Sequence, residues 1–176
     1  MNKEWSEMNK QMQVLIGKKA TYKDGTELLI KLRNELFEQI TQIVNEYPAE
    51  AFYQMPYANA KGYHSKTLSY SIWHIFRIED IVAHILIAGD EQILMAGGYQ
   101  KKIGSPVITT GNELQGQEIA EFSKKLNVRA LYEYAKEVML STNSLLTSME
   151  YSQMKTKYSD EDKKRLIDSG CVSPDE

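Results

Sequence analysis

Three long segments of this sequence repeat apolar residues at intervals of three and four, and this spacing limits the chain to a helical fold. One face of an amphipathic helix produces such a repeat, because about 3.6 residues complete a turn. The stripes cover residues 29–43, 68–86 and 131–149, and a shorter stripe covers residues 3–17. The sequence therefore predicts an all-α protein whose long helices pack side by side.

Three long helices leave an up-down four-helix bundle one helix short. The N-terminal helix or a partner chain could substitute for the fourth helix, or the parent protein could be longer than this sequence. Extra short helices are predicted at residues 90–96, 117–126 and 159–170, whereas residues 97–116 are predicted to form a loop.

Residues at the predicted helix ends indicate where the long helices begin and stop. Asp24 and Thr26 are candidate caps of the first long helix, which must end before Pro48. Asn127 is the predicted cap of the last long helix. Residues 47–66 between the first two long helices form a connection rich in tyrosine, alanine, asparagine and glycine.

Composition and charge restrict the class of protein. The 176 residues are 42% hydrophobic and 26% charged, which suits a single globular domain over residues 1–176. A net charge of −3 is unfavourable for a nucleic-acid surface, which is usually basic. Because no segment resembles a signal peptide or a membrane span, and Cys171 is the one cysteine, we expect a cytoplasmic protein that does not enter membranes.

The second long helix, predicted from about Thr67 to Ala88, contains five polar residues within the apolar stretch SIWHIFRIEDIVAHILI. At roughly 100° per residue, the face of Leu68 is predicted to be buried, and Glu79 lies near its middle. The apolar residues on that face are Ile72, Ile75, Val82, Ala83 and Leu86. A flanking group of Ile78, Ile81 and Ile85 also contains His74.

The opposite face of this helix holds Trp73, Arg77, Asp80 and His84. Arg77 and Asp80, and also Asp80 and His84, have the spacing of helical neighbours. We interpret both as ordinary pairs on the protein surface.

Glu79 and His74 need a more specific explanation. A carboxylate within an apolar stripe must be paired, protonated or bound to a cation, and a hydrogen bond to a tyrosine or a backbone amide is the simplest solution. His74 is either a satisfied core histidine or a metal ligand or general base. His64, His74 and His84 are too far apart to bind one metal, because ten helical residues rise roughly 15 Å.

The motif formed by Trp73, His74, Arg77, Glu79 and Asp80 resembles the W-H-x-x-R-x-E-D signature of the DinB-like superfamily, which includes bacillithiol and mycothiol S-transferases. The similarity continues through ILIAGDEQIL, IGSPVITTGNEL and EIAEFSKKLNVRALYEYAKEV, and covers roughly residues 25–155.

The resemblance implies a four-helix bundle in which three histidines bind a divalent metal, nickel or zinc. His74 matches the first ligand, but no histidine follows His84, so the expected H-x-x-x-H of the last bundle helix is absent from this sequence. We assign His74 as the metal ligand and Glu79 as the catalytic candidate. Trp73, Arg77 and Asp80 are assigned as supporting or pocket residues.

The function implied by this resemblance is metal-dependent transfer of a low-molecular-weight thiol to an electrophilic small molecule, or metal-assisted hydrolysis or isomerisation. A metal with three histidine ligands keeps open positions where a thiol can bind and lose its proton.

The alternative is a non-catalytic helical bundle that acts as a homodimer or binds a small apolar ligand. Residues 51–64, AFYQMPYANAKGYH, could line such a ligand pocket or could simply be a solvated connection.

Overall fold

A computed structural model describes residues 3–56 and 66–172 of the protein, and all regular structure within these two ranges is helical. The α-helices are α1 (Lys3–Ile16), α2 (Tyr22–Glu46), α3 (Leu68–Asp80), α4 (Ile93–Ala96), α5 (Tyr99–Ile103), α6 (Gln117–Lys125), α7 (Val128–Ser148) and α8 (Asp160–Asp168). Short 3₁₀ turns cover Lys19–Thr21, Ala49–Phe52 and Gln153–Lys155. The predicted all-α class is confirmed.

Three long helices form the centre of the molecule. Phe37 of α2 meets Phe76 of α3 edge to face, with ring centroids 6.0 Å apart. Arg33 of α2 reaches Glu79, so residue numbers run in opposite directions along the two helices. Tyr134 of α7 contacts Asp80, and Ser141, further along α7, contacts His84. Because residue numbers increase in the same direction on both sides, α3 and α7 run parallel. The bundle is therefore built around one antiparallel and one parallel neighbour of α3.

Helix α3 continues without a break into a π-helical segment, Ile81–Ala88. The predicted helix from Thr67 to Ala88 therefore has the right length, but its second half has the wider geometry of a π-helix. The segment closes with a hydrogen bond from the Asp90 N–H to the His84 carbonyl at 3.0 Å. Such segments are rare and often occur at functional sites.

Side-chain caps explain where several helices begin. The Asn127 side chain accepts a hydrogen bond from the Ala130 N–H, which confirms the predicted cap of α7. The predicted caps of α2 are wrong: the helix begins earlier, at Tyr22, and Thr26 bonds back to the Tyr22 carbonyl.

The predicted loop at residues 97–116 contains a helix, α5, that the sequence analysis missed. Gly98 and Gly104 flank this helix with φ values of 61° and 76°. Glycine adopts this left-handed backbone easily and marks the ends of short helices as often as it marks loops. The glycine content alone therefore did not distinguish the two.

The prediction of which face of α3 is buried is wrong. Trp73, Arg77 and Asp80, predicted to lie opposite the buried face, are fully buried. Ile75 and Ile78 are 42% and 39% exposed. Because the helix is apolar on almost every side, the positions of its polar residues did not indicate which face is buried. Arg77 and Asp80 can be buried because they form an ion pair with each other.

His64 and most of the aromatic stretch at residues 51–64 lie outside the described residues. Within the described part of the chain, no helix combines the length and the apolar character that crossing a membrane requires.

The contact between α1 and α2 yields a first prediction. A Cβ atom on Gly25 would lie 2.4 Å from the backbone nitrogen of Ile16, a distance that requires the backbone to move. Alanine favours a helix by about 1 kcal/mol relative to glycine. We nevertheless expect Gly25→Ala to be destabilising, by about 1–3 kcal/mol, because overpacking costs more. Urea unfolding and amide hydrogen exchange of α1 measure the effect.

Gly17→Ala is the matched control, because its added Cβ would lie 3.5 Å from the nearest atom, the Gln13 carbonyl oxygen. Equal stability of the two variants would contradict the predicted clash between α1 and α2.

Candidate functional site on helix α3

The centre of the site region is a buried ion pair between Arg77 and Asp80. The Arg77 Nη1 atom donates to Asp80 Oδ2 at 3.0 Å, and both side chains are fully buried. Arg77 Nε donates to the Ile108 carbonyl at 2.7 Å, while Nη2 contacts the Gln92 side-chain oxygen and lies 3.2 Å from Cys171 Sγ. The prediction of a surface pair is therefore wrong, because the guanidinium is surrounded by acceptors inside the protein.

Asp80 uses the same carboxylate to organise the start of α4. Its two oxygens accept hydrogen bonds from the N–H groups of Ile93 at 2.8 Å and Leu94 at 3.0 Å. Oδ2 also accepts from the Tyr134 hydroxyl at 2.9 Å. Burial, followed by the negative charge of Asp80, raises the pKa of Tyr134 well above its ordinary value. The phenol therefore stays protonated and remains a hydrogen-bond donor.

Trp73 packs beside this network on the same face of α3. Its indole N–H donates to the Thr109 carbonyl at 3.1 Å, and its ring contacts Phe122 and Tyr134. Trp73, Arg77 and Asp80 therefore hold the segment around residues 108–109 and helices α4 and α7 against α3. This arrangement is that of supporting residues.

His74, in the middle of α3, is half-buried. Its Nδ1 atom lies 2.9 Å from the Thr110 carbonyl oxygen, and its ring stacks on Tyr70 with centroids 5.5 Å apart. A carbonyl oxygen can only accept, so Nδ1 carries the hydrogen and Nε2 of the neutral ring keeps its lone pair. Metal-binding histidines commonly have this arrangement, in which the second nitrogen fixes the tautomer and the ring orientation.

Glu79 forms a two-pronged ion pair with Arg33 of α2. The Arg33 Nη1 and Nη2 atoms donate to the two carboxylate oxygens at 2.8 and 2.6 Å. The side chains of Arg33 and Glu79 are only 18% and 15% exposed. Glu79 is thus mostly buried and paired, but with an arginine rather than the tyrosine or backbone amide suggested by the sequence. Its two oxygens are engaged by Arg33, which restricts a role as a general base.

The described residues do not assemble a complete metal site around His74. Within residues 3–56 and 66–172, no three histidine, cysteine, aspartate or glutamate side chains converge on one point. Glu79 is directed at Arg33, and His84 belongs to a different cluster. The residues present thus provide one suitable imidazole and do not by themselves fit a three-histidine centre.

A second polar cluster surrounds His84 and was not anticipated. His84 Nδ1 lies 2.6 Å from Asp90 Oδ1, and Nε2 lies 3.2 Å from Ser141 Oγ. Asp80 Oδ1 is further away, at 3.9 Å from Nε2. The predicted surface pair of Asp80 and His84 is therefore wrong, since His84 is buried and bonds Asp90. His84 and Asp90 are six residues apart, which is not a helical spacing, so no sequence pattern indicated this contact.

An exposed apolar strip follows α3 and its π-helical continuation beside the Arg33–Glu79 ion pair. We call it the α3 face, and it consists of Ile75, Ile78 and Val82. All three side chains are at least 37% exposed. Leu36, one turn from Arg33 on α2, is also exposed. An apolar row of this length on a monomer commonly marks a contact with another protein or helix.

Among the described residues, two of the surface grooves provide space for a small ligand, and His74 lines neither of these two. One, of about 240 Å³, lies between the start of α2 and the end of α7. The other, of about 330 Å³, lies between α6 and the preceding loop and is lined by Pro106, Val107, Leu114 and Phe122 with a polar rim. The second groove is the better candidate for an apolar ligand.

No protein-family model matches this chain, and no curated protein is similar enough in sequence to count as a match. The resemblance of the α3 motif to the DinB-like signature therefore remains a prediction from the sequence.

The Asp80 network yields a prediction of stability. In Asp80→Ala, the buried Arg77 guanidinium and the N–H groups of Ile93 and Leu94 lose their acceptor. We expect a loss of about 3–5 kcal/mol in the free energy of unfolding, because removing one partner leaves an uncompensated buried charge. Urea titration followed by circular dichroism measures it.

The control for this prediction is Asp160→Ala, which removes an exposed ion pair with Lys163. Exposed pairs contribute little. A similar small change in both variants would show that the Asp80 network is not important for stability.

The Arg33–Glu79 pair yields a second prediction of stability. Glu79→Ala should lower the free energy of unfolding by more than about 1 kcal/mol, because a mostly buried arginine loses both its charge-assisted hydrogen bonds. A double-mutant cycle with Arg33→Met should show coupling between the two residues. Glu121→Ala, on the exposed side of α6, should have little effect, and equal effects at positions 79 and 121 would refute the assignment.

Proposed function

We propose that this chain is a DinB-like helical-bundle protein that acts through its α3 face, and that a second copy of the chain covers this face in a homodimer. The observation that supports the proposal is the exposure of Ile75, Ile78 and Val82 in one strip along a helix. Apolar area of this kind is usually covered, because its removal from water is favourable by about 25 cal/mol per Å².

The position of α1 supports a partner rather than the N-terminal helix as the cover. Helix α1 packs mainly on α2, with Ile16 against Gly25. Ile78 remains 39% exposed although α1 is docked. A two-fold dimer would place the same strip of both copies in contact, which is the commonest arrangement of homo-oligomers.

A second candidate function is metal-dependent thiol transfer, and the tautomer of His74 favours it. The hydrogen bond from Nδ1 to Thr110 leaves Nε2 as a lone-pair donor beside the α3 face. The remaining ligands of a nickel or zinc ion would have to come from residues other than those described. A helix that covers the α3 face is the natural place for them.

In this second candidate, His74 would help to hold a metal ion, which would supply an open coordination position and promote loss of the proton from a small thiol, for reaction with an electrophilic small molecule. This chemistry rests on the sequence resemblance. His74 would be one ligand of the metal. Trp73, Arg77 and Asp80 would support the helix that carries His74. A cytoplasmic location is part of the proposal, because the buried Cys171 is a free thiol.

Sedimentation at several concentrations tests the homodimer. We expect a concentration-dependent dimer, and we expect Ile78→Glu to weaken it at least about tenfold because a charge would be buried at the contact. Ile167→Glu, at an exposed apolar position on α8, is the matched control and should leave association unchanged. A monomer at all concentrations would overturn the proposal.

Calorimetry with nickel and zinc tests the metal candidate separately. One imidazole cannot replace three ligands, so we expect this chain to bind either metal weakly, and His74→Ala to abolish that binding. His84→Gln, at a histidine that already bonds Asp90 and Ser141, should leave it unchanged. Tight one-to-one binding that survives His74→Ala would refute His74 as a ligand.

A further inference from the structure

The cluster around His84 connects a carboxylate, an imidazole and a serine hydroxyl by hydrogen bonds, in that order. We propose that Asp90, His84 and Ser141 form a catalytic relay that activates the Ser141 hydroxyl to accept an acyl group from an ester. This activity is separate from the α3 face and from His74, so it does not depend on the proposed function.

The first observation is the protonation pattern of His84. The Asp90 carboxylate accepts a hydrogen bond from Nδ1 at 2.6 Å, so the hydrogen of the neutral ring is on Nδ1. Nε2 then presents its lone pair to Ser141 Oγ at 3.2 Å. A base oriented by a carboxylate and bonded to a hydroxyl is the arrangement by which serine nucleophiles are activated on unrelated folds.

The second observation is the orientation of the Ser141 hydroxyl. Serine and threonine in helices can bond back to the carbonyl four residues earlier. Among residues 3–56 and 66–172, five such bonds occur, at Thr26, Thr41, Ser71, Ser123 and Thr147. The Ser141 hydroxyl instead bonds across the helix interface to His84. The hydroxyl is therefore directed at a base rather than at its own helix.

The third observation concerns the charge that develops when His84 accepts a proton. The imidazolium would lie between two carboxylates, with Asp90 at 2.6 Å from Nδ1 and Asp80 at 3.9 Å from Nε2. Both negative charges stabilise the imidazolium, and the Arg77 guanidinium partly offsets that of Asp80. Two carboxylates therefore lie beside the ring that would receive the proton of Ser141.

The cluster is also open to solvent on one side. The Asp90 side chain is 61% exposed, and Ser141 is only partly buried. The π-helical segment carries His84, and its closing bond brings residue 90 back over the imidazole. The partly buried Ser141 hydroxyl is the group that a small ester must reach from solvent.

In the proposed step one carbon–oxygen bond forms, another breaks, and one proton moves from Ser141 to His84. Ser141 Oγ attacks the carbonyl carbon of the ester while its proton passes to His84 Nε2. The bond between that carbon and the alcohol oxygen breaks, and its electron pair leaves with the alcohol oxygen. The acyl group remains on Ser141 as an ester.

Incubation of the full chain with 4-nitrophenyl acetate tests this relay. The release of 4-nitrophenolate is followed by absorbance, and acetylated positions are mapped by mass spectrometry of peptides. We expect one acetyl group on Ser141. His84→Gln should slow its formation about a hundredfold, because general-base catalysis contributes that much, and Asp90→Asn should slow it at least about tenfold.

Ser144→Ala is the matched control on the same helix and should leave acetylation of Ser141 unchanged. Circular dichroism establishes that each variant is folded, and if His84→Gln unfolds, the exposed Asp90→Asn variant decides. The proposal is overturned if Ser141 gains no acetyl group, or if its rate is the same in wild type and Asp90→Asn.

Discussion

The buried ion pair of Arg77 and Asp80 is the interaction on which the arrangement of this bundle depends. Two opposite charges inside a protein are stable only when further hydrogen bonds satisfy their remaining donors and acceptors. Here those bonds come from the backbone of α4, the Ile108 carbonyl, Tyr134 and Gln92. The need to satisfy one pair therefore fixes where three separate parts of the chain must lie on α3: residues 92–94, Ile108 and Tyr134.

Helix positions could be predicted from the sequence because periodicity and capping residues are local signals. The stripe at residues 131–149 and the Asn127 cap specified α7 closely. The orientation of α3 could not be predicted in the same way, because isoleucines occur around most of its circumference. Its orientation is set by partners distant in sequence, such as Tyr134, and by the burial of Trp73.

In the candidate site, too, the sequence indicates properties of single residues but not their partners on other parts of the chain. The sequence correctly indicated that Glu79 needs a partner, but that partner is Arg33, 46 residues away on another helix. His84 and Asp90 meet because a π-helical segment and a turn bring them together, and no spacing rule for α-helices reports this contact. The sequence can thus indicate which polar residues need a partner, while the identity of that partner depends on tertiary contacts.

The contact between Arg77 and Cys171 has a consequence for the order of events during synthesis. The two residues are 94 positions apart in the sequence. At a synthesis rate of roughly 5–20 residues per second, Cys171 is added about 5–20 s after Arg77. During this interval the guanidinium has no thiol beside it, and α8 is not yet available to dock. The nascent chain can form α2 and α3 early, but the interior around Arg77 is completed only after nearly all of this sequence has left the ribosome.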